Sequence, residues 1–287
     1  MNCILPKELV NEWSNYINQF PNSRSDFILM PDGIIYDDVK FNGLTGLTES
    51  FDCCFMDNLV SLPQTALEIE ELDNYLCQFR GTTIKFDAVE YYKPSESEPL
   101  QTIPFDFNTY NALYNNIKRF GVFFDGSKYW ISSSDCMIAA DLGFTAPSYG
   151  FVIPKAVLAR LIYLKPDYIN MYPNMRFKAV NGAFEYSFDI DALPKSPNPD
   201  DFLPLFNQIL TSKIEITDYL PNFLNEASKS PEYLNVEITD KAVSLTIDAD
   251  NMLYFNSLIN DQTKMFLSGH NFLGFENENV IFGCTSL

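Results

Sequence analysis

Three segments of the chain open alike: "ILPKELVNEW" (4–13), "SLPQTALEIE" (61–70) and "VIPKAVLARL" (152–161). Each has an aliphatic residue, a proline, two polar or small residues, then apolar residues at helical spacing. Proline is favoured in a first turn, where its missing N–H has no intrahelical partner to lose. Leu5-Pro6, Leu62-Pro63 and Ile153-Pro154 therefore read as strand-to-helix junctions of one design. Apolar periodicity predicts six helices, over 6–19, 63–79, 108–120, 154–165, 218–229 and 250–262. The third opens on Asn108 and stripes Tyr110, Leu113, Tyr114 and Ile117 along one side. Between the helices the period shortens to two. "GVFFDGSKYWISSS" (121–134) and "MRFKAVNGAFEYSFDI" (175–190) read as hairpins turning at Asp125-Gly126 and Asn181-Gly182, and "LNVEITDKAVSLTIDA" (234–249) as a third around Thr239-Asp240.

A short strand, a helix and two or three strands thus recur six times, at about 48 residues per unit. Paired units make three domains in a row, 1–103, 104–212 and 213–287. The breaks fall in "YKPSESEPLQT" (92–102) and "KSPNPDDFLPLF" (195–206). The fold class is α+β.

Composition narrows the function. No stretch has the ~20 consecutive apolar residues of a membrane span, and the first residues lack a secretory pattern. Six cysteines without C-x-x-C spacing read as buried, reduced thiols of a cytoplasmic protein, the adjacent Cys53 and Cys54 as core packing. A net charge of −19 argues against wrapping nucleic acid over the outer surface. The only histidine, His270, sits in "SGHNFLG" and reads as a loop residue, so a Ser-His-Asp or Cys-His site is not expected. Phosphate-cradling glycine motifs are absent, and no metal or cofactor is expected. "FDAVEYYK" (86–93) holds Asp87, Glu90 and Lys93, as a metal nuclease would, but its alternation equally fits a strand.

The distribution of charge is uneven. Acids outnumber bases 38 to 19, yet the expected helices 108–120 and 154–165 carry Lys118, Arg119, Lys155, Arg160 and Lys165 and no acid. At the chain's average those helices would hold about three acids. On a helical wheel Lys118 and Arg119 share the side of Asn111 and Asn115, while Lys155 and Arg160 oppose Val157, Leu158 and Leu161. That pattern is either an ordinary solvated surface or a contact with something negative, such as phosphates.

The run "GVFFDGSKYWISSSDCMIAADL", then "FVIPKAVLARL", "MRFKAVNGAFEYSFDID" and "NPDDFLPLF" resembles the central domain of the bacterial DNA sliding clamp, the beta subunit of DNA polymerase III. Ser134-Asp135 stands where that family has Thr-Asp, and Pro199-Asp200-Asp201 where it has Pro-Asp-Tyr. The match covers 104–206. It implies three clamp-like domains, each with two helices backed by antiparallel sheets, and two chains closing a ring of twelve helices around duplex DNA. The implied protein is a non-enzymatic processivity factor, and its divergence and composition fit a phage or mobile element. Its DNA-facing set is Lys118, Arg119, Lys155, Arg160 and Lys165, joined by Arg80, Lys229 and Lys264 at or just past the ends of other expected helices. Its partners are DNA polymerase and a clamp loader, which dock short peptides in an apolar pocket. Position by position the pocket falls on Ser134, Met137, Ile138, Pro199, Leu203 and Leu287. The acids of 63–79 and the end "FGCTSL", without the methionine-rich tail usual in the family, depart from it. The rival from another class is an acidic DNA mimic that occupies a nucleic-acid enzyme; it predicts rows of carboxylates and no basic helix face.

Overall fold

Leu5 ends a strand and Pro6, at φ −57°, turns the chain straight into a helix; Pro154, at φ −61°, repeats the manoeuvre. The computed structural model describes residues 3–21, 26–55, 67–71, 76–79, 82–89, 97–117, 121–124, 128–133, 136–144, 151–190, 203–227, 229, 233–238, 243–248, 255, 257–269 and 271–285. Its elements begin with β1 (Cys3–Leu5), α1 (Lys7–Gln19), β2 (Asp26–Met30), β3 (Gly33–Tyr36), β4 (Val39–Asn42) and β5 (Ser50–Phe55). Next come β6 (Leu67–Glu71), β7 (Leu76–Phe79), β8 (Thr82–Val89), β9 (Gln101–Pro104) and α2 (Phe107–Asn115). The middle continues with β10 (Gly121–Phe124), β11 (Tyr129–Ser133), β12 (Cys136–Asp141), β13 (Val152–Pro154) and α3 (Lys155–Leu164). Then follow β14 (Tyr168–Tyr172), β15 (Arg176–Val180), β16 (Phe184–Asp189) and α4 (Leu203–Thr211). The last part holds β17 (Ile214–Glu215), α5 (Leu220–Ala227), β18 (Tyr233–Ile238), β19 (Val243–Asp248), β20 (Lys264–Ser268), β21 (Phe272–Glu276) and β22 (Val280–Thr285).

The chain divides into two units, one of 1–102 with 166–188, the other of 103–165 with 189–287. In the first, strands follow the order β1-β6-β7-β8-β5-β2-β3-β4-β16-β15-β14-β9, the last strand ending at the boundary. α1 lays Leu9, Val10, Trp13, Tyr16 and Ile17 on that sheet, one stripe at helical spacing. Trp13 meets Phe27 at 4.9 Å between ring centroids, and Tyr16 meets Phe41 at 5.4 Å. An aromatic core of this kind fixes the helix in one orientation.

The second unit holds an antiparallel sheet in the order β13-β10-β11-β12-β22-β21-β20-β17 and a separate β18-β19 hairpin. Its two faces are covered differently. Phe206 and Ile209 of α4 pack with Ile131, Met137, Ala139, Phe266, Phe272 and Ile281. Side chains alternate along a strand, so Phe275 and Phe282 belong to the opposite face, and there Phe223 of α5 meets Phe275 at 5.1 Å. Gly274 and Gly283, paired across β21 and β22, make room on the α4 side: a Cβ at Gly274 would lie 2.2 Å from the Phe266 ring.

The strand pairs of the three expected hairpins are present, β10 with β11, β15 with β16 and β18 with β19; the turn at Asn181 is described, whereas Asp125-Gly126 and Thr239-Asp240 lie outside the described residues. Two expected helices are not borne out by the residues described within them. Within 63–79 the described residues form strands β6 and β7, because Leu67 and Leu5, and Ile69 and Cys3, are register partners. Within 250–262, residues 257–262 form turns: Leu258 N–H donates to the Phe255 carbonyl at 2.8 Å, and the Asn260 carboxamide accepts from Gln262 N–H. Leu62 and Pro63 lie outside the described residues, as do His270, Glu90 and Lys93. Asp87 is an ordinary residue of β8, opposite Asp52.

Candidate nucleic-acid interface

The acid-poor segments become a pair of packed helices. Asp106 caps α2: one carboxylate oxygen accepts from Asn108 N–H at 3.1 Å and the other from the Thr109 hydroxyl. The one acid at this helix is thereby engaged with the backbone. α2 buries Thr109, Tyr110, Ala112 and Leu113, and α3 buries Val157, Leu158 and Leu161. Lys155, at the start of α3, donates from Nζ to the carbonyl of Ile117 just past the end of α2, at 3.1 Å. Its ammonium also lies 5.2 Å from the Tyr114 ring centre. Lys165, past the end of α3, stands 5.0 Å from the ring of Phe107, which starts α2. Start meets end at both places, so the helices run antiparallel.

Toward solvent the pair presents Asn108, Asn115, Ala156, Tyr163 and Lys165, with Asn111, Lys155 and Arg160 half-buried beside them. Residues 107–117 and 155–165 contain no acid, in a chain with 38. Among the described residues the two helices themselves contribute polar and cationic side chains and no carboxylate to this face, the exposed Asp106 standing at its edge as the cap of α2, and such a surface suits phosphates. Lys118, Arg119 and Arg80 lie outside the described residues. The remaining basic candidates have acidic neighbours: Lys229 pairs with Glu226 at 3.1 Å, and Lys264, the first residue of β20, lies 4.0 Å from Glu215. Both pairs are well exposed and bind weakly.

Of the apolar pocket positions, Met137 is 5 % exposed and Ile138 is 0 % exposed. Ile138 is a core strand residue, whereas Met137 belongs to the cluster beneath α4. Leu203 begins α4; its side chain, Ser134, Pro199 and Leu287 lie outside the description. Close by, the carboxamide of Asn116 donates to the carbonyls of Ser132 at 3.0 Å and Cys136 at 2.8 Å. It thereby ties the ends of β11 and β12 together on either side of Ser134-Asp135. The periodicity of 107–117 gave no sign of this role, because Asn116 looks like an ordinary exposed residue until the strands are placed.

Burial raises the pKa of Tyr110, with the Asp106 charge adding to it. Among the described residues neither its hydroxyl nor that of Ser132 has a hydrogen-bond partner.

No known family pattern and no curated protein sequence matches the chain. Solved structures do. A beta clamp from Helicobacter pylori bound to a DNA ligase peptide aligns over 100 % of both chains with a TM-score of 0.63 at 11 % identity. A putative DNA polymerase III beta subunit from Eubacterium rectale aligns over 100 % of this chain and 99 % of its own, with a TM-score of 0.61 at 10 % identity. The beta subunit of Streptococcus pyogenes DNA polymerase gives 0.59 at 10 % identity, over the whole of both chains. The fold is that of a sliding clamp.

No helix among the described residues is long and apolar enough to cross a membrane. None of the described residues form a group of three or more metal-ligating side chains.

Proposed function

We propose that this protein is a DNA sliding clamp: a non-enzymatic ring of two chains, each of three tandem domains, that encircles duplex DNA and tethers a replicative polymerase. The observation that carries the reading is the absence of acids from helices α2 and α3 within a chain of net charge −19. Contacts from such a face go to phosphates, which position a protein without specifying sequence, so the ring is free to travel. An acidic exterior keeps the rest of the molecule off nucleic acid. Polymerase, clamp loader and other partners dock short apolar peptides at the positions the family motifs point to, Ser134, Met137, Ile138, Pro199, Leu203 and Leu287. The Helicobacter pylori clamp bound to a DNA ligase peptide supports that mode. The face also disfavours an acidic DNA mimic, which would carry carboxylates there.

Topology gives the test. Protein is mixed at low salt with linear duplex bearing biotin at both ends, the ends are then blocked with streptavidin, and the salt is raised. A ring that has threaded over the ends stays on the blocked DNA and leaves when a restriction enzyme opens it. Retention that ignores the ends, or none at all, overturns the proposal. Sedimentation at micromolar concentration adds the assembly state: a ring of two chains has twice the 32.8 kDa of one.

A further inference from the structure

Cys136 and Cys284 are register partners, directly opposite each other on adjacent antiparallel strands β12 and β22. They are about 150 residues apart in sequence. Both are buried, at 6 % and 1 % exposure, and neither is in a disulfide. Among the described strand pairs no other cysteine stands opposite a cysteine. Cys3 faces Ile69, Cys53 faces Phe27 and Phe86, Cys54 faces Asp26 and Lys85, and Cys77 faces Glu71 and Ile84.

Direct partners in an antiparallel ladder have Cα atoms about 4.5–5.5 Å apart, inside the roughly 4.4–6.8 Å a disulfide spans. Their Cβ atoms stand on the same face, so the two thiols can be bridged without a change of register. The pair also lies at the end of its ladder: Cys136 is the first residue of β12 and Cys284 the last but one of β22. Strand ends open locally at low cost, which gives a small oxidant access that the middle of the sheet would deny.

We propose that Cys136 and Cys284 form a redox staple, closing to a disulfide when the protein meets a small disulfide oxidant such as oxidised glutathione. The Cys136 thiolate, at the more exposed position, attacks one sulfur of the oxidant and expels the first glutathione thiolate. The Cys284 thiolate then attacks Cys136 sulfur in the mixed disulfide and expels the second. Two protein thiols are oxidised, the oxidant's S–S bond is reduced, and the two protons end on the released glutathione thiols. The product binds the C-terminal strand covalently to β12 and closes a loop of about 150 residues, the kind of cross-link that most constrains an unfolded chain. The staple does not depend on the clamp function.

The test treats the folded, full-length protein with oxidised glutathione and maps its disulfides by non-reducing peptide mass spectrometry. The expected result is a Cys136–Cys284 linked peptide, loss of two hydrogens from the intact mass, and a melting temperature raised by about 5 °C or more that dithiothreitol reverses. Cys136→Ser should abolish the linked peptide and the shift together, while melting at the same temperature as the reduced parent to within a few degrees. A protein that ends only glutathionylated, or that links other cysteines under native conditions, overturns the proposal. So does a linked peptide without any rise in melting temperature.

Discussion

Lys155 and Ile117 meet at the foot of the helix pair, the ammonium nitrogen 3.1 Å from the carbonyl oxygen. That carbonyl lies just past the end of α2, where helix dipoles leave negative charge and backbone acceptors go unpaired. Lys155 therefore acts as a fastener between helices and not solely as a phosphate contact. Lys155→Ala should cost about 1–2 kcal/mol, combining a charge-assisted hydrogen bond with the cation–π contact to Tyr114. Urea unfolding with an unchanged m-value would check it.

DNA retention should therefore be tested on other side chains. Lys165 adopts a left-handed conformation, φ 49°, which glycine accommodates more readily. Lys165→Gly should leave stability within about 1 kcal/mol of the parent, the relief of strain offsetting the lost contact with Phe107. Combined with Arg160→Ala, it should weaken low-salt DNA binding for every sequence alike. The salt dependence, log K against log salt, should flatten by about 0.9 per phosphate contact removed. An unchanged slope would mean that this face does not meet DNA.

Tyr110→Phe should be neutral to stabilising by about 1 kcal/mol at neutral pH, because its buried hydroxyl has no partner among the described residues. At alkaline pH the difference should widen. Tyr110's folded pKa lies above its unfolded value of 10.0, raised by burial and then by Asp106. The stability it contributes is thus full below about pH 10 and is lost as pH climbs toward the folded value. Melting temperatures of parent and variant from pH 8 upward would show the parent falling first. Tyr36, raised by burial and then by Asp37, leaves the variant some of the same slope.

Asn116→Ala should cost about 2–3 kcal/mol, since the carbonyls of Ser132 and Cys136, at the ends of β11 and β12, lose their shared donor. Asn116→Asp should cost more, placing a buried acceptor against acceptors. If partner peptides dock beside these strand ends, fluorescence anisotropy should show both variants losing affinity under conditions where they remain folded.

Local chemistry made much of the fold legible. Proline after an aliphatic residue located α1 and α3, and Asn-Gly located the β15–β16 turn, because both signals act within a few residues. The same proline rule applies to Leu203-Pro204, followed by apolar Phe206, Ile209 and Leu210. Read only as the counterpart of a family motif, that segment hid α4. The error over 63–79 has a different origin. Leu72, Leu76 and Phe79 keep helical spacing while Leu67 and Ile69 alternate, and pairing with β1 settles the conflict in favour of strands. At the site, the acid-free helices were legible as composition. That Lys155 fastens α2, that Met137 and Ile138 are buried, and that Cys136 faces Cys284 all depend on pairing between distant strands, which no local pattern encodes.

The pairing of β4 with β16 has a consequence for synthesis. Val39 waits for Tyr186, and Lys40 for Glu185, about 150 residues further along. At the ~5–20 residues per second of translation, β4 emerges roughly 7–30 s before its partner exists. Throughout that interval Val39–Asn42 presents an open row of backbone donors and acceptors, a template for any other unpaired strand nearby. The nascent chain is then most exposed to mispairing with its neighbours on the same polysome. Chaperone demand should peak while the middle of the message is being read, and fall once Asp189 has left the ribosome.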